Sequence, residues 1–231
     1  MQAKKSVWSK PIIWIEGVIG AGKTTLARTL GEALGMRVLE EPVDSNPYLT
    51  PFYADPKRWA YAMQIHLMGV RYGMQQLAAY ESVAGASNGV LLDRGLPGDR
   101  VFAHLHTLMP KNEEDKEKKN ISPLEWQTYQ RWYDIMTCSL IPPALMIFLD
   151  TEPEVAHERL KERDRDAEKG VPLEYIQDLR KGYLDLMVEI ESGRHPWARG
   201  MELERMAWNT DHLPVEPLIE GLRDKYRIAN A

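Results

Sequence analysis

A glycine-rich segment early in the chain carries the residue types that phosphate binding requires. Gly17, Gly22, Lys23 and Thr24 occupy the four fixed places of the pattern G-x-x-x-x-G-K-[ST]. Glycines let the backbone curl so that its N–H groups point at phosphate oxygens, and the positive end of the next helix adds to the attraction. In such loops the lysine bridges the outer phosphates and the hydroxyl ligates Mg²⁺. The segment therefore predicts a nucleoside triphosphate site.

The flanking residues give this pattern the strand–turn–helix context that it needs. The apolar run 12–15 precedes the loop, and 26–30 opens a helical pattern after it. A glycine turn that binds no nucleotide is the alternative. We predict ATP as the phosphate donor, Thr24 as a Mg²⁺ ligand, and these phosphate-binding residues: Gly17, Gly20, Ala21, Gly22, Lys23, Thr24 and Thr25.

Charged residues stand at the ends of two further apolar stretches. Glu41 follows the strand pattern 36–40, and Asp93 and Arg94 end the pattern 89–94. Because the carboxyl ends of parallel strands meet at one edge of a sheet, we expect these groups near the phosphate loop. Glu41 suits a general base, Asp93 a Mg²⁺ ligand and Arg94 a phosphate contact. A solvated carboxylate and a surface salt bridge are the alternatives.

A basic segment after residue 153 contains Arg159, Arg163 and Arg165. Arg159 and Arg163 share one face of a regular helix, whereas Arg165 points elsewhere unless the helix frays near Asp164. The glycine and proline that follow favour a hinged lid over about residues 159–171. By charge pattern alone, a solvated helix face paired with neighbouring acids is the stronger alternative.

The elements that position these groups alternate between strand and helix. Strand patterns are predicted at 12–15, 36–40, 89–94, 144–150 and 201–208. The helices between them imply an α/β fold of the three-layer P-loop NTPase type, with a five-stranded parallel sheet flanked by helices and an arginine-rich lid. We predict one domain over residues 1–231, with a mobile charged insertion at about 110–121 that carries no chemistry.

Composition narrows the choice of partners. A net charge of −5 argues against a broad nucleic-acid-binding surface. The single cysteine, Cys138, fits a reducing compartment, and we find no secretory signal and no apolar run approaching the ~20 residues of a membrane span. We therefore predict a cytoplasmic protein without nucleic-acid or membrane partners.

His104 and His106 point to different sides of a helix, so no protein-held metal site is expected there.

Several segments together resemble the deoxyribonucleoside kinase family, which includes deoxycytidine, deoxyguanosine and insect multisubstrate kinases. The resemblance extends from the phosphate loop to about Tyr175. It rests on five spaced motifs in order: Gly17 to Thr25; Glu41-Pro42-Val43; Tyr53 with Asp55-Pro56-Lys57-Arg58-Trp59 and Gln64; Asp93-Arg94 with Glu125-Trp126, Tyr129 and Trp132; and Arg159 through Gly170-Val171-Pro172-Leu173-Glu174-Tyr175.

This resemblance implies roles for particular residues. Glu41 would be the base for the sugar 5′-hydroxyl, and Arg94 its partner at the transferred phosphoryl group. Tyr53 and Glu168 would hold the 3′-hydroxyl, and Gln64 would face the base. Further residues would bind the nucleotide: Arg159, Arg163 and Arg165 of the lid, and Asp211 after the fifth strand.

Arg71 and Asp99 fall where the deoxycytidine and deoxyguanosine kinases carry an Arg–Asp pair beside the base. A carboxylate there favours bases that offer an exocyclic amine or a ring N–H, so the resemblance implies a purine deoxynucleoside or deoxycytidine over thymidine. The sequence departs from the family in three places: Gly95 replaces the usual serine, Ala103 stands where relatives often place a base-stacking phenylalanine, and the segment 110–120 has no clear counterpart. Because these departures suggest a roomier base pocket, we prefer a purine.

Two other functions remain open from the sequence. A thymidylate-type deoxynucleoside-monophosphate kinase shares the loop and lid but needs an extra cation for the acceptor's phosphate. A non-catalytic kinase-like subunit would carry a damaged loop or lack the base, whereas Lys23 and Glu41 are both present. The resemblance also implies a homodimer through the helices near 55–82 and 122–140.

Overall fold

The computed structural model describes residues 10–42, 46–107, 120–163, 170–209 and 215–228. Its strands are β1 (Ile12–Gly17), β2 (Arg37–Leu39), β3 (Val90–Asp93), β4 (Leu145–Asp150) and β5 (Glu202–Ala207). Its helices are α1 (Lys23–Leu34), α2 (Leu49–Ala54), α3 (Pro56–Ala84), α4 (Leu96–Leu105), α5 (Pro123–Thr137), α6 (Pro153–Arg163), α7 (Leu173–Glu191) and α8 (Glu216–Tyr226).

The strands form one parallel sheet in the order β2-β3-β1-β4-β5. β1 lies at its centre, where Ile13 pairs with Leu91 of β3 on one side and with Leu145 of β4 on the other. β1, β3 and β4 are buried at every position, because helices cover both faces of a sheet connected in this way. The predicted α/β class and five-stranded parallel sheet are confirmed.

Side-chain caps fix where α3 and α5 begin. The Asp55 carboxylate accepts the N–H of Arg58 at 3.2 Å, and Pro56 holds the first position of α3. Ser122 and Glu125 form a reciprocal capping box at the start of α5. Both helices therefore start where the sequence predicts.

Two segments that contain prolines typical of turns form helices. Pro51 lies within the first turn of the short helix α2, where a proline costs no hydrogen bond. Pro97 likewise lies in the first turn of α4. In both cases the proline is compatible with a helix because of its place near the start.

The central strand also ties the sheet to α3. Trp14 is fully buried, and its Nε1–H donates to Gln75 Oε1 of α3 at 2.8 Å. At the sheet's edge, β5 exposes the charged side chains of Glu202, Glu204 and Arg205. Within the described part of the chain, no helix combines the length and apolar character that crossing a membrane requires.

Candidate active site

The phosphate loop joins the carboxyl end of β1 to the first residue of α1. Gly22 has a φ of 91°, in the region that favours glycine, and a Cβ there would lie 2.8 Å from Nε1 of Trp208. The Lys23 ammonium group curls back over the loop and donates to the carbonyl oxygens of Val18 at 2.7 Å and Gly17 at 3.2 Å. Burial, with the nearby Arg94 cation, lowers the pKa of Lys23 to about 7.

Two oxygen-bearing side chains face each other beside this loop. The Thr24 hydroxyl donates to Oδ2 of Asp93, at the carboxyl end of β3, and both residues line the same cavity. A hydroxyl and a carboxylate are ligands that suit Mg²⁺, which takes oxygen donors and completes its shell with phosphates and water. The residues present therefore fit the predicted metal.

Glu41 lies between two arginines just beyond the end of β2. Its Oε1 accepts from Arg71 Nη2 at 2.7 Å, and its Oε2 lies 3.4 Å from Arg94 Nε. Burial acts to raise the pKa of Glu41, but the positive charges of Arg71 and Arg94 outweigh it and hold the pKa below the ordinary value. Glu41 is therefore a carboxylate at neutral pH.

These groups share one cavity of about 650 Å³. Ten of the predicted site residues line it: Gly20, Lys23, Thr24, Glu41, Tyr53, Gln64, Arg71, Asp93, Arg94 and Arg163. Oε1 of Gln64 and Nε of Arg71 are buried without a partner among the described residues. One acceptor and one donor of two lining residues are thus left without a partner within the described part of the chain.

Asp99 does not line this cavity, although the resemblance to the family implies a place beside the base. It is fully buried, where Arg71 Nη1 donates to its Oδ1 and the Tyr129 hydroxyl donates to its Oδ2 at 2.5 Å. Arg71 therefore stands between Asp99 and the cavity. In this arrangement Asp99 fixes the guanidinium of Arg71, and its direct contact with a base stays a prediction.

The other predicted residues fall into two groups. Gly17, Ala21, Gly22 and Thr25 belong to the loop or its helix without lining the cavity, and Arg159 instead donates to the carbonyl oxygen of Trp208 at 3.1 Å. Arg165, Glu168 and Asp211 lie outside the described residues, as do residues 110–119 of the predicted charged insertion.

Sequence reasoning missed several groups in or behind the cavity. Phe102 lines it and packs under Arg94, whose Cζ lies 4.6 Å from the ring centroid, so an aromatic ring is present next to Ala103. His106 also lines it, with Nδ1 3.2 Å from the amide nitrogen of Asn120, and burial lowers its pKa to about 4. Phe102 lies within α4 and His106 is its C-cap. Their places in a helical pattern do not distinguish a cavity wall from a core position.

Comparisons with known proteins identify relatives of this chain. A sequence model described as deoxynucleoside kinase matches residues 13–209. A deoxyadenosine kinase of Dictyostelium discoideum is 34% identical over 214 residues, which cover 93% of this chain and 78% of that protein. A deoxyadenosine/deoxycytidine kinase of Bacillus subtilis is 30% identical over 175 residues, which cover 74% of each.

The fold has a close counterpart among solved structures. The structure of deoxyadenosine kinase from M. mycoides with bound dCTP superposes with a TM-score of 0.71 at 24% identity, covering 94% of this chain and 98% of that chain. This likeness shows the fold, and the family match with the Dictyostelium relative shows the kinship. The chain belongs to the deoxynucleoside kinase family.

Proposed function

We propose that this protein transfers the γ-phosphoryl group of ATP to the 5′-hydroxyl of a deoxyribonucleoside, with Mg²⁺ as the metal. The observation that carries the proposal is one cavity lined by residues of the phosphate loop together with Glu41, Gln64 and Arg71. A triphosphate at the loop and a nucleoside beside Gln64 and Arg71 would meet between Lys23 and Glu41.

At the phosphate end, the chain supplies positive charge and oriented donors. Loop N–H groups and Lys23 would hold the donor's phosphates, and Arg94 would meet the charge that spreads over the transferred group. Thr24 and Asp93 would hold Mg²⁺, which when bound neutralises charge on the phosphates. Arg163, at the end of α6, also lines the cavity. Arg159 is proposed to reach the nucleotide only if it leaves the Trp208 carbonyl.

At the acceptor end, Glu41 would orient the 5′-hydroxyl and take its proton. Its lowered pKa keeps it ionised, so it can accept a hydrogen bond from the hydroxyl at neutral pH. Because the transition state of phosphoryl transfer is loose, the reaction does not require a strong base, and a weakly basic carboxylate suits this role. Tyr53 also lines the cavity and is proposed to contact the sugar.

Two polar groups of the residues that line the cavity could contact the base. The unpartnered Oε1 of Gln64 can accept an N–H from a base, and the unpartnered Nε of Arg71 can donate to one. Every base, thymine included, offers an N–H and an acceptor, so this pair alone does not set the preference. The preference for a purine or cytosine over thymine is proposed from the names of the relatives, which are kinases of deoxyadenosine, deoxyguanosine or deoxycytidine.

The two alternative functions lose support. A thymidylate-type kinase needs a further cation for the acceptor's phosphate, but Glu41 engages Arg71 and approaches Arg94. A non-catalytic subunit predicts a damaged site, whereas Lys23 and Glu41 line the cavity in the expected places.

One substitution tests the central assignment. Glu41→Gln keeps the size and removes the basic group, so we expect turnover to fall by roughly two to four orders of magnitude while ATP still binds. The assay measures ADP release with ATP, Mg²⁺ and each of the four deoxynucleosides in turn. Near-normal turnover of this variant, or activity of the wild-type protein only on deoxynucleoside monophosphates, would contradict the proposal.

A homodimer is proposed through α3 and α5. Both helices expose large apolar side chains: Leu77, Tyr80, Val83, Leu124, Trp132 and Ile135. Burial of such groups against a second copy would remove them from water. Light scattering should report twice the monomer mass, and Trp132→Glu should reduce the measured mass.

A cytoplasmic location is likewise proposed, because the single cysteine fits a reducing compartment.

A further inference from the structure

A buried carboxylate in the central strand lies directly behind the cavity. Glu16 of β1 is fully buried, and its Oε1 accepts the N–H groups of Gly95 at 2.8 Å and Gly98 at 3.3 Å. Its Oε2 accepts the hydroxyl of Tyr183, on α7, at 3.0 Å. Burial raises the pKa of Glu16, whereas the Arg94 charge and these hydrogen bonds act to lower it. A carboxylate buried in this way costs free energy unless its partners are all in place.

The Tyr183 hydroxyl connects Glu16 to a predicted catalytic side chain. Arg94 Nη1 donates to the Tyr183 oxygen at 3.0 Å, and the same hydroxyl donates onward to Glu16. The other contact of Nη1 is the carbonyl oxygen of Gly17 in the phosphate loop, at 3.3 Å. Tyr183 therefore holds one arm of the Arg94 guanidinium, while Nε points toward Glu41.

The backbone of Arg94 also needs this support. Its φ is 75°, in the left-handed region that a non-glycine residue adopts only at a cost. Such a conformation persists where the surroundings hold it. The N–H of Arg94 donates to the carbonyl of Ile15 at 3.1 Å, and the next N–H, that of Gly95, donates to Glu16. Both sides of the strained residue are thus tied to β1.

Glu16 and Tyr183 do not line the cavity, so neither is placed to touch a substrate. Their contacts run instead to the backbone and guanidinium of Arg94. We propose that Glu16 and Tyr183 are positioning residues that hold Arg94 in the orientation used for phosphoryl transfer. This inference rests on the proposed function, because it takes the role of Arg94 from it.

Tyr183→Phe tests the inference with little disturbance to packing. The Tyr183 ring lies 5.5 Å from Phe148 and 6.4 Å from Phe102, centroid to centroid, and a phenyl ring would keep both contacts. Only the hydroxyl is lost, which releases one arm of Arg94. We expect kcat to fall about tenfold, the scale of one hydrogen bond to a charged group, with KM for ATP and for the deoxynucleoside within about twofold.

Tyr133→Phe is the matched control. Tyr133 is also buried, but its hydroxyl has no partner within the described residues. Its loss should leave kcat unchanged. If both variants keep wild-type kcat, or if both lose the same factor, the inference is overturned. Urea unfolding of each variant separates a loss of folded protein from a loss of turnover per folded molecule.

A double-mutant cycle decides whether Tyr183 acts through Arg94. In an Arg94→Ala background, Tyr183→Phe should cause no further loss of kcat, because the side chain that it positions is gone. Equal losses in both backgrounds would overturn the inference. Glu16→Gln can replace Tyr183→Phe in the same cycle. The N–H groups of Gly95 and Gly98 and the Tyr183 hydroxyl all donate to Glu16, so the NH₂ group of a glutamine would face at least one donor. We expect the resulting loss of kcat to disappear in the Arg94→Ala background as well. Failure of the wild-type protein to phosphorylate any deoxynucleoside would instead overturn the proposed function.

Discussion

Gly95→Ser introduces the residue that relatives of this family usually carry, and we expect it to destabilise this chain. Gly95 is the N-cap of α4, where serine gains only a few tenths of a kcal/mol over glycine. A Cβ there would lie 2.7 Å from Cδ2 and 3.0 Å from Cε3 of Trp14. Carbon atoms in favourable contact are about 3.5–4.0 Å apart.

The steric overlap with Trp14 decides whether Gly95→Ser stabilises or destabilises the protein. Trp14 is fully buried and fixed by its hydrogen bond to Gln75, so it has little room to move aside. Overpacking of this kind costs about 1–3 kcal/mol, which exceeds the gain from a better cap. We expect Gly95→Ser to lower the free energy of unfolding by about 1–3 kcal/mol, measured from urea transitions.

Two companion variants make the reasoning refutable. Gly73→Ala lies in the exposed interior of α3, where a Cβ meets nothing within 4 Å, and should stabilise by about 0.5–1 kcal/mol. Gly95→Ser combined with Trp14→Phe should cost less than the sum of the two single changes, because the smaller ring relieves the overlap. A Gly95→Ser protein as stable as the wild type would refute the argument.

Three further expectations follow from buried charges. The pKa of Lys23 is about 7, and a bound triphosphate would raise it, so ATP binding above pH 7 should take up a proton. The affinity for ATP should therefore fall as pH rises. Calorimetry in two buffers should detect the proton uptake in the wild-type protein and not in Lys23→Arg. Arg71→Met should cost about 3–5 kcal/mol of stability, since it leaves Glu41 and Asp99 buried without their cation, and should move the acid limb of kcat/KM to higher pH. The pKa of His106 is about 4 in the folded protein and about 6.5 in the unfolded chain, so the unfolded chain binds the proton more readily. The free energy of unfolding should therefore fall as pH drops from 6.5 toward 4. In urea titrations, His106→Leu should remove about 3 kcal/mol of that fall.

The sequence was informative wherever a short pattern determines position. The loop from Gly17 to Thr24 and the charges at Glu41 and Asp93 could be placed together, because parallel strands bring their carboxyl ends to one edge regardless of side-chain detail. Helix starts at Asp55 and Ser122 were equally readable, since capping is a local interaction.

Contacts between distant segments were not readable in the same way. Glu16 looks like a break in an apolar strand, and its partner Tyr183 is 167 residues away. Whether Asp99 or Arg71 faces the cavity depends on how α3 and α4 rotate against each other, which Tyr129 of α5 helps to fix. The glycine at position 95 likewise has no local explanation until Trp14 is seen to fill the space.

The charged outer strand has a consequence for how copies of this protein meet. An open parallel sheet ends in strands whose outward N–H and C=O groups can recruit another chain. β2 is only three residues long, and β5 exposes Glu202, Glu204 and Arg205, so neither border offers a flat apolar ribbon. Aggregation by strand addition is thereby discouraged at both borders of the sheet, which leaves the proposed contact through α3 and α5 free of competition from strand pairing.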